Sequence, residues 1–312
     1  AWPLASIAAA GLAGLLALLL IGRRWPFVAA LASLMAALGG AVQLETSLSG
    51  LRQRSFFGVY TVSPRRDYVA LLHGTTMHGA QSRRPDLQRT AMTYYLAESG
   101  IGRALAQMGP KARIGVVGLG TGTLVCHAKA GQRWTAWEID PLIVRIAQRQ
   151  FTYIAACKPD LAIITGDARL TLASAPAAGL DLLAIDAFSS DAIPLHLLTT
   201  EAFGLYGRAL AADGLLLVHI SNRFLDLEPV LSAMASRAGW RAQVLALPDP
   251  GPRGAGWITA GSTWVALSRD PARLQALAAA GGGWRPLATR PGLAPWSDDF
   301  ASVLPVLRWR RD

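Results

Sequence analysis

A glycine-rich stretch near the middle of the chain has the residue types and spacing that bind a nucleotide. The apolar run Ile114–Val117 leads into three glycines at alternate positions, Gly118, Gly120 and Gly122. Glycine allows positive φ and a close approach of backbone to ligand, and unpaired N–H groups at the start of a following helix attract polar or anionic groups. We therefore expect these glycines to line a nucleotide site.

Two acidic residues are placed to complete this site. Glu138 lies 20 residues after Gly118 at the end of the next predicted strand, where a carboxylate can accept both ribose hydroxyls. Asp167 ends the third strand, where it would meet an adenine edge. Thr123 replaces the glycine that a dinucleotide fingerprint requires, so the spacing favours an adenosyl ligand. The alternative is a tight packing turn with a surface glutamate.

A further acidic segment runs from Asp186 to Asp191 after the fourth apolar run. A carboxylate at a strand end can orient and deprotonate an amine, and it can also simply cap the next helix. Since such sheets bind ligands at the carboxyl ends of their strands, we expect Asp186 to be functional. For Asp191 both roles stay open, as do core and pocket roles for His219.

The elements that must position these residues alternate between strands and helices from Arg113 onward. The predicted strands are Ile114–Val117, Trp134–Trp137, Ala162–Ile164, Leu182–Ile185 and Leu215–Ile220. Predicted helices lie between them near 124–130, 141–150, 168–175 and 199–211, and helices 229–238 and 270–280 with strands 241–247 and 262–268 follow. This alternation predicts an α/β fold with a Rossmann-like parallel sheet covered on both faces.

The segment before this sheet predicts a small hairpin, a loop and a helix. Strands are expected over 56–62 and 68–72, a functional loop over 73–86 and a helix over 88–108. His73 and His78 lie in the predicted loop. We favour an active-site lid over a metal site, because a metal would need a third ligand that we cannot name.

The N-terminal segment predicts two transmembrane helices. Residues 1–22 and 25–44 carry no charge, and each stretch approaches the length of about 20 residues that spans a bilayer. Alternatives are a signal peptide or a buried helical hairpin. The chain begins with Ala1, which would fit the tail of a longer polytopic protein.

The orientation of these spans is predicted from flanking arginines. Arg23 and Arg24 between the spans would by themselves place the large domain outside. Four arginines between positions 52 and 66 outnumber this pair, and a nucleotide-using domain needs the cytoplasmic supply. We therefore expect a bacterial inner-membrane protein whose catalytic domain is cytoplasmic.

The formal net charge of +10 fits attraction to anionic membrane lipid beside the two spans. The basic residues are dispersed and form no nucleic-acid motif, so no nucleic-acid partner is expected. Cys126 and Cys157 lack metal-binding spacing. We expect a reducing compartment and no structural disulfide.

From Phe56 to about Leu307 the chain resembles the spermidine synthase (polyamine aminopropyltransferase) family, and most of all its bacterial members fused to membrane helices. The matching stretches, in the family's order, are Phe56–Val59, His73–Gln81, Thr93–Tyr95, Gly118–Thr123, Trp137–Pro141, Gly166–Arg169, Asp186–Asp191 and Trp296–Phe300. Because many separate motifs coincide in order, chance is a poor explanation.

The resemblance implies a class I methyltransferase-type sheet behind a small N-terminal β-domain. The expected domains are 1–44 for two transmembrane helices, 45–87 for a junction, β-domain and gating loop, and 88–312 for adenosyl binding and catalysis. The implied ligand is S-adenosylmethionine or its decarboxylated form, without a metal. The implied reaction is attack by a small-molecule amine on the methylene beside the sulfonium, which releases methylthioadenosine. A homodimer is a further possibility.

The resemblance also implies roles for individual residues. Asp186 would be the catalytic aspartate, with Tyr94 and Asp191 beside it. The implied adenosyl-binding residues are Gly118, Gly120, Gly122, Glu138, Asp167, Ala168, Gln81 and His78. Gln81 and Tyr94 would face the transferred chain or the acceptor.

The sequence departs from the family where an acceptor would bind. Spermidine synthases carry Asp-Gly where this chain has His73-Gly74 or His78-Gly79, and their paired aspartates are three residues apart, whereas Asp186 and Asp191 are five apart. Asp298 and Asp299 would either supply the missing charge or cap a helix. We expect a retained adenosyl site and a rebuilt acceptor site. Alternatives are methyl transfer, cleavage of the sulfonium without an acceptor, or a membrane-bound nucleotide sensor without turnover.

Overall fold

The computed structural model describes residues 4–37, 39–188 and 193–308 of the 312-residue chain. The chain divides into two compact units, one of residues 1–54 with 59–61 and the other of residues 55–58 with 62–312. The domain limits expected from the sequence, 1–44, 45–87 and 88–312, stay a prediction.

The first unit consists mainly of three short helices. They are α1 (Leu4–Leu19), α2 (Arg24–Ala37) and α3 (Gly40–Leu48). Strand β1 (Arg52–Arg54) then pairs antiparallel with the first three residues of β2 (Val59–Pro64). The strand expected over 56–62 therefore begins only at Val59.

The predicted second span, 25–44, is not one helix, because α2 ends at Ala37 and α3 begins at Gly40. Gly39 has a φ of 84°, which lies outside the right-handed helical region. Within the described ranges no single helix has both the length and the apolar character to cross a membrane. Helix α2 and residues Val42–Leu48 meet that requirement only as a pair, and the pair is bent by 75°.

The second unit begins with a β-hairpin where a loop was expected. Strands β3 (Tyr68–His73) and β4 (Thr76–Ser82) pair antiparallel, with a register shift between Leu71 and Leu72. The prediction of a gating loop over 73–86 is therefore wrong for most of its length. Gly79 and the polar residues of β4 concealed the strand, because strand formation depends on packing against neighbouring strands.

The helix expected over 88–108 is reduced to α4 (Gly100–Ala106). Its start is set by Ser99, whose side chain accepts a hydrogen bond from Gly102 N at 3.2 Å. Gly100 packs so tightly that a Cβ atom there would lie 2.6 Å from Trp264 Cβ. Tertiary packing against the sheet thus selects this short helix.

An eight-stranded sheet forms the centre of the second unit. Its strands are β5 (Arg113–Val117), β6 (Arg133–Glu138), β7 (Ala162–Thr165), β8 (Leu180–Ile185), β9 (Leu210–His219), β10 (Arg241–Leu247), β11 (Ser262–Ser268) and β12 (Arg285–Pro286). The spatial order is β12-β10-β11-β9-β8-β5-β6-β7. Strands β5 to β9 are parallel to one another, β11 pairs antiparallel with β9, and β10 and β12 continue the sheet antiparallel.

Helices connect these strands much as the sequence predicts. They are α5 (Pro141–Gln150), α6 (Tyr153–Cys157), α7 (Ala168–Ala173), α8 (Thr200–Ala209), α9 (Glu228–Ala238) and α10 (Pro271–Ala280). The helix expected near 124–130 is instead a 3₁₀ helix, Thr123–His127, and α6 was not expected.

Alternate residues of the central strands enter two different hydrophobic clusters. On β8, Leu183 and Ile185 belong to one cluster, whereas Leu182 and Ala184 belong to the other. Since successive side chains of a strand point to opposite faces, both faces of the sheet are covered. This layered α/β architecture confirms the Rossmann-like, methyltransferase-type sheet.

Cys126 and Cys157 form a disulfide, with their Cα atoms 4.9 Å apart. The bond joins the 3₁₀ helix after the glycine turn to the end of α6. The prediction of no structural disulfide is therefore wrong. The two cysteines are 31 residues apart in sequence, so only the tertiary fold brings them together.

Candidate active site

The glycine turn after β5 requires glycine for both conformation and space. Gly118, Gly120 and Gly122 have φ values of 96°, 53° and 80°. A Cβ atom on Gly118 would lie 2.4 Å from the carbonyl oxygen of Asp186. The turn therefore lies directly against the end of β8, and the adenosyl-binding and catalytic candidates are neighbours.

Glu138 is buried at the end of β6 and its carboxylate holds the glycine turn. Oε2 accepts a hydrogen bond from Leu119 N at 2.9 Å, and Oε1 accepts one from Asp140 N at 3.0 Å. Burial raises the pKa of this carboxyl group. Each carboxylate oxygen can accept more than one hydrogen bond, so the predicted ribose contact is compatible with both bonds.

Asp167 precedes α7 and caps it. Its Oδ1 accepts hydrogen bonds from Arg169 N at 2.7 Å and Leu170 N at 3.3 Å, and Oδ2 lies 3.9 Å from His196 Nε2. Ala168 is the buried first residue of α7. The predicted adenine contacts of both residues stay predictions.

Asp298 is held in an ion pair beside α7. Arg169 donates two hydrogen bonds of 2.7 Å to its two oxygens, and Thr199 Oγ1 donates a third of 2.7 Å. The hydrogen bond from Arg169 is the main reason why the pKa of Asp298 falls to about 2. Asp298 therefore neutralises an arginine, a role distinct from the two considered from sequence.

Asp186 lies at the end of β8 and pairs with a histidine that the sequence left open. Its Oδ1 is 2.7 Å from His219 Nδ1, and the two side chains are only 6% and 3% exposed. The hydroxyl of Tyr95 lies near Asp186, and burial, with the nearby Asp186 carboxylate, raises the pKa of that hydroxyl well above its usual value. Tyr95 therefore stays protonated.

Aromatic rings surround this acidic pair. Trp264 stacks on the His219 ring with centroids 4.4 Å apart and planes 7° apart. Phe188 and Tyr94 lie with ring centroids 4.9 and 5.6 Å from that of His219. The structure therefore brings Tyr94 into the same cluster as Asp186. Position at the end of an apolar strand was the one sequence signal that pointed to His219.

Gln81 is buried on β4 and its carboxamide is engaged by the chain. Oε1 accepts from Thr152 N at 2.9 Å, and Nε2 donates to Thr152 Oγ1 at 2.7 Å and to Gln88 O at 2.9 Å. These bonds connect β4 to the segment between α5 and α6. The predicted contact of Gln81 with ligand stays a prediction.

His73 and His78 lie on paired strands, β3 and β4, with ring centroids 5.4 Å apart. A Cβ atom on Gly120 would lie 3.0 Å from the carbonyl oxygen of His78, so β4 borders the glycine turn. Burial lowers the pKa of His73. The expected lid is thus a hairpin wall of the site.

Asp191 lies outside the described residues. Within the described ranges, no group of three or more histidine, cysteine or acidic side chains is arranged to hold a metal ion.

Comparison of the sequence with known proteins gives one partial match. A polyamine aminopropyltransferase from Vibrio vulnificus is 31% identical over 117 residues, which are 36% of this chain and 38% of that protein. The match therefore spans well under half of the relative's length. No family model matches the chain.

Comparison with solved structures identifies the fold. A probable spermidine synthase from Corynebacterium glutamicum has a TM-score of 0.59 at 18% identity, over 81% of this chain and 97% of the other. A spermidine synthase from Thermotoga maritima has a TM-score of 0.51 at 13% identity, over 72% and 74%. A spermidine synthase in complex with the transition-state analogue AdoDATO gives the same values. The resemblance predicted from the motifs is thereby confirmed: the chain has the fold of spermidine synthases and resembles a polyamine aminopropyltransferase in part of its sequence.

Proposed function

We propose that this chain is a transferase that moves an aminopropyl-type group from an adenosyl sulfonium to an amine. The donor would be S-adenosylmethionine or its decarboxylated form. The observation that carries the proposal is the contact between Gly118 and the backbone of Asp186. It puts a turn suited to adenosine beside a buried carboxylate suited to an amine.

The residues present fit an adenosyl group. The positive φ values of the glycine turn give a backbone conformation that side chains rarely allow, and Glu138 retains lone pairs for ribose hydroxyls. When bound, the sulfonium would supply an electrophilic methylene and a neutral thioether leaving group. Gly118, Gly120, Gly122 and Glu138 would bind it and fix its position relative to Asp186.

Asp186 would accept a proton from the amine. An alkylammonium ion must lose a proton before its nitrogen lone pair can attack carbon, and a positioned carboxylate can accept that proton. The new N–C bond would form as the C–S bond breaks, with the bonding pair leaving on sulfur. Holding the amine in line with the methylene would lower the barrier further. The two reactants would already be bound in the reactive geometry, so less entropy would be lost in reaching the transition state.

The aromatic rings around Asp186 favour a small-molecule amine as acceptor. An ammonium group is attracted to the face of Tyr, Phe or Trp within about 6 Å of the ring centroid. Tyr94 and Phe188 are half-buried beside the Asp186–His219 pair. We propose that they contact the acceptor.

Product analysis tests this function. Purified protein would be incubated with each cofactor form, with and without a panel of mono- and diamines, and the products identified by mass spectrometry. Methylthioadenosine with an aminopropylated amine supports the proposal. Adenosylhomocysteine would indicate methyl transfer, methylthioadenosine without an alkylated amine would indicate cleavage, and binding without product would indicate a sensor. Asp186→Asn is the matched variant, expected to keep binding and lose turnover.

We further propose that residues 1–44 attach the protein to the inner membrane, with the catalytic domain in the cytoplasm. Among the residues of α1 and α2 whose burial is described, several large apolar side chains are exposed, for example Leu18 at 63%, Leu19 at 72% and Met35 at 60%. Lipid acyl chains would cover such side chains favourably. A homodimer stays a prediction.

A further inference from the structure

His219 is a buried side chain to which sequence assigns no task. We propose that it is a positioning residue for Asp186, and that Ser221 and Trp264 hold it in place. The inference rests on the proposed function, in which Asp186 accepts the proton of the amine. His219 would affect turnover by positioning the Asp186 carboxylate and would not touch the substrate itself.

A continuous chain of hydrogen bonds runs through the imidazole. His219 Nδ1 lies 2.7 Å from Asp186 Oδ1, and Nε2 lies 2.8 Å from Ser221 Oγ. Ser221 Oγ in turn accepts a hydrogen bond from Thr263 N at 2.9 Å. Because this N–H occupies a serine lone pair, the hydroxyl hydrogen can be donated to Nε2. The neutral ring then carries its proton on Nδ1 and donates it to Asp186.

The backbone fixes the ring as well. His219 and Trp264 are directly opposite each other on the antiparallel strands β9 and β11. Their rings stack with centroids 4.4 Å apart and planes 7° apart. Since cross-strand pairs pack closely, the ring has little freedom to rotate away from Asp186.

The hydrogen bond from His219 orients the carboxylate of Asp186. A buried carboxylate is stable as an anion only when donors compensate it. Among the described residues, His219 Nδ1 lies 2.7 Å from Asp186 Oδ1, and the Tyr95 hydroxyl lies near the same carboxylate. The hydrogen bond from His219 holds the carboxylate in one orientation and leaves further lone pairs to accept a hydrogen bond from the amine. Loss of the His219 donor should therefore impair proton acceptance rather than adenosyl binding.

Two substitutions separate hydrogen bonding from ring packing. His219→Asn keeps an N–H donor at the place of Nδ1 and loses the stack. His219→Phe keeps a ring on Trp264 and loses both nitrogens. We expect His219→Phe to lower kcat roughly 10- to 100-fold, the loss of one hydrogen bond to a charged group. His219→Asn should recover at least part of that loss.

The binding readout distinguishes positioning from folding. Both variants should bind methylthioadenosine by calorimetry as wild type does, and the KM for the sulfonium should change little. His127→Gln is the control, because it removes another imidazole, hydrogen-bonded to Tyr95 O at 2.7 Å, without touching Asp186. If His219→Phe turns over better than His219→Asn, ring packing decides the effect and the proposal is overturned.

A double-mutant cycle tests whether the effect passes through Asp186. Asp186→Asn combined with His219→Phe should be no slower than Asp186→Asn alone, because residues that act as a unit are not additive. Losses that multiply would contradict the proposal. Ser221→Ala should reduce kcat less than His219→Phe, and Ser221→Thr should restore it.

Nitrogen NMR tests the geometry without turnover. With ¹⁵N-labelled histidine, wild-type protein should show His219 protonated on Nδ1 and unprotonated on Nε2 when neutral, and Ser221→Ala should alter that balance. A ring found with its proton on Nε2 would overturn the proposal. If wild-type protein shows the Nδ1 proton yet transfers nothing to any amine, the proposed function fails and the positioning geometry does not.

Discussion

Glu138 shows how one side chain can serve both the fold and the ligand. From sequence it was predicted only to hold a ribose. In the structure both of its oxygens accept backbone hydrogen bonds, one from Leu119 in the glycine turn and one from Asp140. The shape of the turn and the predicted ligand contact therefore depend on the same carboxylate.

We expect Glu138→Ala to weaken binding of methylthioadenosine by roughly 10- to 100-fold, because it removes charged hydrogen bonds to ligand and turn. Calorimetry measures the Kd. Asp181→Asn is the control, because Asp181 pairs with Arg113 at the starts of β8 and β5, away from the strand ends. An unchanged Kd in Glu138→Ala would refute the ribose role.

The Arg169–Asp298 pair predicts a pH dependence of stability. Asp298 has a folded-state pKa of about 2, below its ordinary value near 4. Its contribution is therefore present above pH 4 and is lost as the pH falls through 2. Because the pair is partly exposed, we expect no more than about 1 kcal/mol.

Urea unfolding between pH 2 and pH 5 measures this contribution. The stability difference between wild type and Asp298→Asn should shrink as the pH falls over that range. A difference that stays constant with pH would show that Asp298 contributes through something other than its charge.

At the scale of elements, strand β4 and the disulfide were among the features that sequence reasoning missed. Strand β4 contains glycine, threonine and histidine, types that occur as often in loops. It forms because β3 offers an antiparallel partner, and strand formation is decided by such neighbours. The consequence for the site is that a β-hairpin, and not an irregular loop, lies beside Gly120.

Removal of the disulfide should destabilise the second unit. A crosslink that closes a loop of about 30 residues contributes roughly 3–4 kcal/mol. We expect the double variant Cys126→Ser with Cys157→Ser to lose about that much free energy of unfolding in denaturant. Wild type treated with reductant is the control and should behave alike. Two free thiols in unfolded, unreduced wild type would contradict the bond.

We predict that the N-terminal helices attach the protein to a membrane. Full-length protein should sediment with membranes, whereas a variant lacking residues 1–44 should stay in the supernatant, because its exposed apolar helices are gone. Fractionation of cells followed by immunodetection measures this, and circular dichroism checks that the shortened protein is folded. Sedimentation of the shortened protein with membranes would count against the anchor.

At the scale of the whole molecule, the compartment stays a prediction. Disulfides persist in oxidising compartments and are rare in the cytosol, so Cys126–Cys157 argues against the cytoplasmic placement. Arg23 and Arg24, at the start of α2, argue in the same direction by the positive-inside rule. The opposing considerations are the four arginines between positions 52 and 66 and the predicted need for a cytoplasmic adenosyl donor.

The sequence by itself determined the parallel part of the sheet and the glycine turn that follows its first strand. Apolar runs such as Leu182–Ile185 have a period and length that few other structures satisfy. The glycines at 118, 120 and 122 and the acid at 138 belong to one short stretch, whose local geometry follows from residue types and spacing.

The tertiary structure alone decided the surroundings of Asp186. His219 and Trp264 come from distant parts of the chain. His219 meets Asp186, and Trp264 stacks on His219, because β8, β9 and β11 are neighbours in the sheet. Strand order and antiparallel register depend on long-range packing, which the local pattern of residues does not encode. For the same reason Cys126 and Cys157 gave no signal of their bond.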